Sequence, residues 1–422
     1  MTINRSTYIV GDVRDCLAAT PDGSVDLVMT SPPFLALRSY LPADHPDKHR
    51  EIGSEPDPAT FLDTLLLLTA EWGRVLAPHG SICVELGDTY AGGSAEGSDT
   101  RNVESARFRG LADGVLSPKA GAEWPLPKSL CGIPHLYHLS LAYGRNLLTG
   151  EESPAGRWRV RNVVAWCRPN PPVGALGDKF RPATSYMTIA TPHGKRYFDL
   201  DAVRTEAQQQ TQRNTNGPKA RAAADEVQVK YDVRVNSNPA GAPPLDYWVI
   251  PTAPYSGSHY AVYPPALCER PIKSMVPAKV CTVCGAPSER ITSEPEYVGR
   301  GGKEATTLHM RDGNRRAEGV NQWDDESTGD RTAHRVTTTI GWTECECHDD
   351  GTKWRNGVVL DPFAGSGTTL MVANELERDA VGFDIDARNA TLARQRVDKF
   401  MFADFEVYPL SLLGFLAPQI RL

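Results

Sequence analysis

The chain reads as an α/β protein built on a mostly parallel sheet, and three observations point there. Apolar strand-like runs alternate with helical stretches over the first 90 residues, and the same alternation resumes from Gly357. The run Val25-Asp26-Leu27-Val28-Met29 ends in Thr30-Ser31-Pro32-Pro33-Phe34. The run Val358-Val359-Leu360 ends in Asp361-Pro362-Phe363-Ala364-Gly365-Ser366-Gly367-Thr368-Thr369. Each motif has the character of the carboxyl end of a buried parallel strand, where open α/β sheets bind their ligands.

The elements follow in order. Tyr8 to Asp12 is a short strand with a polar turn, Val25 to Thr30 a second, and Ser81 to Asp88 a third. The stretch from Thr60 to Leu76, with its run of four leucines, has the apolar spacing of an amphipathic helix. Gly92 to Gly121 is rich in Gly, Ser and charge and reads as a surface loop. Strand-like runs return at Val160 to Trp166, Tyr186 to Ala190 and Tyr247 to Ile250. Glu206 to Pro244 and Arg290 to Arg335 are polar inserts with little apolar periodicity. After the glycine turn come a helix (Thr368 to Leu376), a strand (Ala380 to Phe383) and a helix (Ala387 to Phe400). No internal repeat is visible. The organisation expected is a first core half over 1–205 (loop insert 92–121), a recognition or linker segment over 206–245, and a return to the core over 246–280. An insert over 281–350 and a last core half over 351–422 complete it.

With 422 residues, 40% of them apolar and 23% charged, the chain can bury a large core. No stretch approaches the roughly 20 apolar residues of a membrane span, and no apolar segment follows the first residues as in a signal peptide. A cytoplasmic protein is expected. The net charge of −7 argues mildly against a nucleic-acid partner, but two segments run the other way. Arg157, Arg159, Arg161, Arg168, Lys179 and Arg181 face only Asp178, and Arg300, Lys303, Arg311, Arg315 and Arg316 face only Glu304 and Asp312. Such segments suit a surface that tracks phosphates, although a charge run is also an ordinary solvated face.

A strand followed by Gly-x-Gly and a helix lets backbone approach a ligand closely and aims amides at an anionic group. Gly382-Phe383-Asp384 then closes the next strand with an acid where carboxylates hold ribose hydroxyls. No Gly-Lys-Ser/Thr follows, so this is not a kinase-type phosphate loop. In the other motif, Pro32 and Pro33 fix the backbone and leave carbonyls free to accept. Phe34 beside them suits a planar heterocycle bearing an amino group, with Ser31 Oγ and the Pro32 carbonyl accepting from its NH2. A strand that merely stops at a proline turn has the same local sequence.

Taken together the two segments resemble the S-adenosylmethionine-dependent DNA amino-methyltransferases: the glycine motif is similar to their Phe-x-Gly-x-Gly signature, and Ser31-Pro32-Pro33-Phe34 to their Asp/Asn/Ser-Pro-Pro-Tyr/Phe signature. Gly11-Asp12 resembles the turn near the cofactor's adenine, and Glu55-Pro56 through Tyr90 the family's next helix-strand unit. Trp166-Cys167-Arg168-Pro169-Asn170-Pro171 is similar to their Trp-x-Lys-Pro-Asn-Pro segment, and Ser258-His259-Tyr260-Ala261-Val262-Tyr263-Pro264 to a block that helps hold the methionine end. Catalytic motif first and cofactor motif last is the order of the family's beta group.

The resemblance implies a Rossmann-like seven-stranded sheet, circularly permuted, so that Asp12 and Asp384 meet at one cofactor. It implies methyl transfer to the exocyclic amine of a base flipped from double-stranded DNA, with Ser31, Pro32, Pro33 and Phe34 as catalytic residues. The expected cofactor-binding set is Asp12, Asp361, Phe363, Gly365, Ser366, Gly367, Thr368, Asp384 and His259. Ser at the first position and Phe at the fourth resemble the cytosine-N(4) enzymes, so N(4) of cytosine is the expected target and N(6) of adenine the alternative. A DNA-binding module without chemistry is a further alternative, and RNA or a small amine a substrate the same motifs would also serve. A cognate restriction endonuclease is the implied system partner.

Five of the nine cysteines, Cys16, Cys83, Cys131, Cys167 and Cys268, stand in apolar or strand-like surroundings and read as small buried hydrophobes. The other four form Cys281-Thr282-Val283-Cys284-Gly285 and Cys345-Glu346-Cys347-His348. Paired thiols at this spacing fit a structural zinc knuckle held by Cys281, Cys284, Cys345 and Cys347, with His348 an alternative ligand and free thiols the plain one. Such a knuckle would staple a DNA-contacting finger over Arg290 to Arg335.

Overall fold

The fold was obtained as a computed structural model, which describes residues 4–37, 39–42, 44–92, 121–171, 178–205, 241–252, 262–294, 296–299, 333–336, 338–347, 354–397 and 403–409. In chain order the first strands are β1 (Asn4–Val10), β2 (Val25–Thr30), β3 (Leu76–Leu86), β4 (Arg159–Cys167), β5 (Thr184–Thr191) and β6 (Tyr247–Val249). Short strands β7 (Lys279–Cys281), β8 (Arg290–Thr292), β9 (Glu296–Gly299), β10 (Ala333–Val336), β11 (Thr339–Trp342) and β12 (Trp354–Asn356) follow. The chain then adds β13 (Val358–Asp361), β14 (Asp379–Asp384) and β15 (Ala403–Pro409). The helices are α1 (Val13–Ala19), α2 (Pro58–Val75), α3 (Ile133–Tyr143), α4 (Pro265–Met275), α5 (Thr368–Glu375) and α6 (Ala387–Val397).

The main sheet has nine strands in the order β15-β1-β14-β13-β2-β3-β5-β4-β6. Only β5 runs against the rest. The expected count of seven is therefore corrected to nine. Seven central strands carry one added strand at each edge: β15 on β1, and the three-residue β6 on β4. β6 falls on the strand-like run expected at Tyr247 to Ile250, whereas β15 goes beyond the expected elements because its sequence mixes charged and apolar residues. Helices α3 and α4 also go beyond the expected elements. α3 starts at an N-terminal Gly-Ile-Pro, and α4 carries Pro271 inside it, a residue that reads as a helix breaker.

The sheet is covered on both faces. Val28, Ile82, Val84, Leu360 and Phe383 pack on one side with Leu17, Phe61, Leu65, Trp72 and Tyr137 from α1, α2 and α3. Their strand neighbours Leu27, Met29, Cys83, Val359 and Ala380 pack on the other with Leu267, Ile272, Leu370 and Ala393 from α4, α5 and α6. That split is the period of two of a pleated strand. All six residues of β2 are buried, as in a parallel strand between two helical layers. α2 is set by Asp57, which accepts from the Thr60 amide at 2.8 Å, with Pro58 in the first turn.

The described chain divides into two compact units. The first, residues 1–199, 245–289 and 344–422, holds the sheet and all six helices. The second, residues 200–244 and 290–343, contains two antiparallel ladders, β8 with β11 and β9 with β10. Most of 92–121, 206–245 and 300–335 lies outside the described residues. So does the finger expected over Arg290 to Arg335, apart from its ends. Among the described residues no helix is long and apolar enough to cross a membrane.

Candidate active site

Because β1, β14, β13, β2 and β3 are parallel, their carboxyl ends share one edge, and each delivers a polar turn there. The motifs at Ser31 and Asp361, 331 residues apart at their nearest bond, are joined directly. Thr30 Oγ1 donates to Asp361 Oδ1 at 2.7 Å. The Asp361 carboxylate also accepts from the Tyr263 hydroxyl at 2.9 Å, from Thr369 Oγ1 and from the Phe363 amide at 3.1 Å. A fully buried acid with that many donors fixes geometry. Burial raises its pKa and the donors oppose the rise.

The glycine turn is pinned from several sides. Gly365 and Gly367 have φ of +48° and +75°, the left-handed region that glycine enters without strain. A Cβ on Gly367 would come 2.8 Å from the Ala393 Cβ of α6. The Gly365 amide donates to Asp384 Oδ2 at 2.9 Å, and its carbonyl accepts from the Tyr8 hydroxyl at 2.8 Å. Asp384 also accepts from the amides of Asp386 (2.8 Å) and the Asn389 side chain (3.2 Å), and burial pushes its pKa up to about 6 despite them. Ser366 and Thr368 hydroxyls both accept from Arg396 Nη1, at 2.8 and 2.7 Å. Phe363 packs half-buried against the core.

The Gly11 amide donates to the Asp384 carbonyl at 2.9 Å, so the turns bearing Asp12 and Asp384 lie side by side. Asp12 itself caps α1 through the Arg14 amide at 2.9 Å and pairs with Arg14 (3.0 Å) and Arg50 (3.1 Å). His259 lies outside the described residues, whereas Tyr263 from the same block reaches Asp361.

At the β2 end, Ser31 Oγ donates to Glu85 Oε2 at 2.6 Å. Glu85 is buried in β3, burial raises its pKa, and the hydrogen bond from Ser31 and the charge of Arg168 offset part of that rise. The Phe34 ring abuts Gly87, where any Cβ would sit 2.6 Å from the ring. A Cβ on Gly53 would meet the Phe34 backbone carbonyl at 3.0 Å and Pro33 Cβ at 3.1 Å. After β3, Tyr90 carries Lys179 Nζ 3.5 Å over its ring, and the neighbouring Phe180 is 98% exposed.

Three residues here go beyond the expected set. Glu85 stands as an acid inside Ile82-Cys83-Val84-Glu85-Leu86, an apolar strand in which a charge is the signal of a partner. Arg396 carried no comparable signal, whereas Tyr263 stands in the Ser258 to Pro264 block that the resemblance singled out. The Sγ atoms of the four clustered cysteines, Cys281, Cys284, Cys345 and Cys347, all lie within 4.8 Å of one another. One tetrahedral metal could take all four.

A sequence model of a DNA methylase family (N6_N4_Mtase) matches residues 25–279 and 349–395. Over 389 residues the chain is 24% identical to the Type II methyltransferase M.SmaI of Serratia marcescens, covering 92% of this chain and 89% of that one. It is 26% identical over 267 residues to the Type II methyltransferase M.Cfr9I of Citrobacter freundii, covering 63% of this chain and 71% of that one. Among solved structures, PvuII DNA methyltransferase (cytosine-N4-specific) aligns with a TM-score of 0.45 and 14% identity, over 100% of this chain and 94% of that one.

Proposed function

The chain belongs to this DNA methylase family of amino-methyltransferases, and from that premise we propose that it moves a methyl group from S-adenosylmethionine to N(4) of a cytosine flipped from duplex DNA. The observation that carries the reading is the hydrogen bond from Ser31 to Glu85, set beside the glycine turn by the Thr30–Asp361 contact.

The residues fit the donor. Gly365 and Gly367 hold a turn without side chains at the end of β13, where backbone can close on a ligand. Asp384 Oδ1 accepts from the Asp386 amide and the Asn389 side chain and Oδ2 from the Gly365 amide, and the lone pair left on Oδ2 suits a ribose hydroxyl. S-adenosylmethionine supplies a sulfonium methyl already activated for transfer, so the protein's part is orientation and electrostatics.

The amine of cytosine is a poor nucleophile because its lone pair is delocalised into the ring. By giving its proton to Glu85, Ser31 keeps its lone pairs free to accept from the amine, and the Pro32 carbonyl is placed as a second acceptor. Two such acceptors localise the nitrogen lone pair for attack. As the N–C bond forms the methyl–sulfur bond would break, its electron pair staying on sulfur as a neutral thioether, and the nitrogen then sheds one proton. Ser31 Oγ takes it and passes its own to the Glu85 carboxylate, whose raised pKa suits it as acceptor. Phe34, whose ring is packed against Gly87 while Gly53 abuts its backbone carbonyl, offers the base ring a stacking face. Arg161, Arg168, Lys179 and Arg181 would track the backbone phosphates. In a Type II system the mark would shield the site from a cognate endonuclease.

Adenine N(6) is the second reading, since the same acceptors serve either amine; Ser31 in the first motif position favours cytosine. The test is to incubate the protein with duplex DNA and methyl-labelled donor, then digest to nucleosides. Label is expected in N(4)-methyldeoxycytidine; label in N(6)-methyldeoxyadenosine would overturn the choice of base.

A further inference from the structure

We propose that Cys281, Cys284, Cys345 and Cys347 form a structural four-thiolate zinc site that closes the neck of the 290–343 excursion. The methyl-transfer reading does not use these residues and the site does not depend on it. Four observations converge. First, all four Sγ atoms lie within 4.8 Å of one another, whereas sulfurs about 2.3 Å from a tetrahedral zinc are about 3.8 Å apart. The set needs only a small contraction to close on a metal.

Second, the Cys281–Cys284 turn is built to receive one. The amides of Val283 and Cys284 both donate to Cys281 Sγ at 3.3 Å. Such donors stabilise a thiolate, which is the form that ligates. Gly285 then turns the chain at φ +70°, its amide donating to the Cys281 carbonyl at 3.0 Å. A side chain there would be strained.

Third, the turn is held on the catalytic unit. β7, which ends at Cys281, pairs antiparallel with β12, and Cys281 lies opposite Trp354. Fourth, the pairs stand at the two crossings of the chain. It leaves the first unit after Glu289 and returns at Glu344, so each crossing has a thiol pair within a few residues. Four protein ligands fill a tetrahedral shell and leave no position for water or substrate, which makes the site a clasp and not a reaction centre. It would convert a long loop closure, costly in entropy, into a local one.

Protein purified without chelator should hold one zinc per chain by elemental analysis. Cobalt exchanged into it should give the intense visible bands and sulfur-to-metal charge-transfer of a tetrahedral four-thiolate site. Stripping zinc with chelator should increase proteolysis between residues 285 and 343 at least tenfold, while S-adenosylmethionine binding, measured on the same sample, changes less than twofold. Cys284→Ser and Cys347→Ser, exposed members of the set, should each lose the cobalt spectrum. Four freely titrating thiols in metal-replete protein, or two disulfides in reduced-handled protein, would overturn the proposal. Because metal content and spectrum are read on the unmutated chain, a variant that fails to fold leaves the test intact.

Discussion

Ser31 and Glu85 act together in this account, so their substitutions should not add. Glu85→Gln keeps a hydrogen-bond partner for Ser31 but removes the proton acceptor. Single-turnover methyl transfer should fall by about 10²-fold or more, with donor affinity unchanged and Ser31→Ala on top costing little further. The pH profile separates this from a structural role. Burial raises the Glu85 pKa, so the wild-type rate should climb with pH as the carboxyl ionises, and the Gln variant should lack that limb. Asp384 gives a second residue-scale prediction. Its pKa is pushed up to about 6, so above that pH it is a carboxylate that accepts from the Gly365 amide and a ligand hydroxyl. Below it the proton takes up one acceptor lone pair and removes the charge that strengthens both bonds. Donor affinity measured by calorimetry should therefore weaken as pH falls through about 6, and Asp384→Asn should remove the step and start from the weaker level.

Among the elements, β2 carries the site because both its ends are anchored. At its start Asp26, fully buried, accepts from Arg355 at 2.6 and 3.0 Å and from the Val358 amide at 2.7 Å, and pairs with His79 at 2.8 Å. Burial would raise this carboxyl, but His79 and Arg355 outweigh it and hold it below the usual range. Removing one partner of a buried pair costs about 3–5 kcal/mol, and Arg355→Ala should fall near the lower figure because its side chain is 20% exposed. The sign with pH follows from a depressed pKa: the stability is complete above the unfolded carboxyl's value and is lost as pH falls through the folded one. Denaturant titrations of wild type and Arg355→Ala should therefore converge in acid. At the other end of β2, Gly87→Val would drive side-chain atoms into the Phe34 ring. Transfer should then lose DNA affinity, read as a raised KM for duplex, with donor binding unchanged.

For the whole molecule, the central strands were legible because burial on both faces writes itself into sequence. Val25-Asp26-Leu27-Val28-Met29-Thr30 and Val358-Val359-Leu360 are near-continuous apolar runs that only a doubly covered strand explains. The glycine turn was legible because positive φ selects glycine, and the joining of Asp12 to Asp384 because parallel strands deliver their turns to one edge. Partnerships were not. Nothing local announces that Ser31 meets Glu85, that Asp12 is occupied by Arg14 and Arg50, or that Arg396 caps Ser366 and Thr368. Those contacts, Ser31 with Glu85 across 54 residues and Arg396 with Ser366 across 30, arise only when separate segments are folded together. The edge strand β15 escaped for the opposite reason, since a half-solvated strand has no distinctive pattern. What the assembled molecule should do is leave a base-specific mark, and that is tested most directly by sequencing modified bases in DNA from cells expressing either the wild-type chain or Ser31→Ala. The wild type should leave N(4)-methylcytosine at one recurring short sequence and the variant none; an unmodified genome with the wild-type chain, or a mark that survives in Ser31→Ala, would contradict the account.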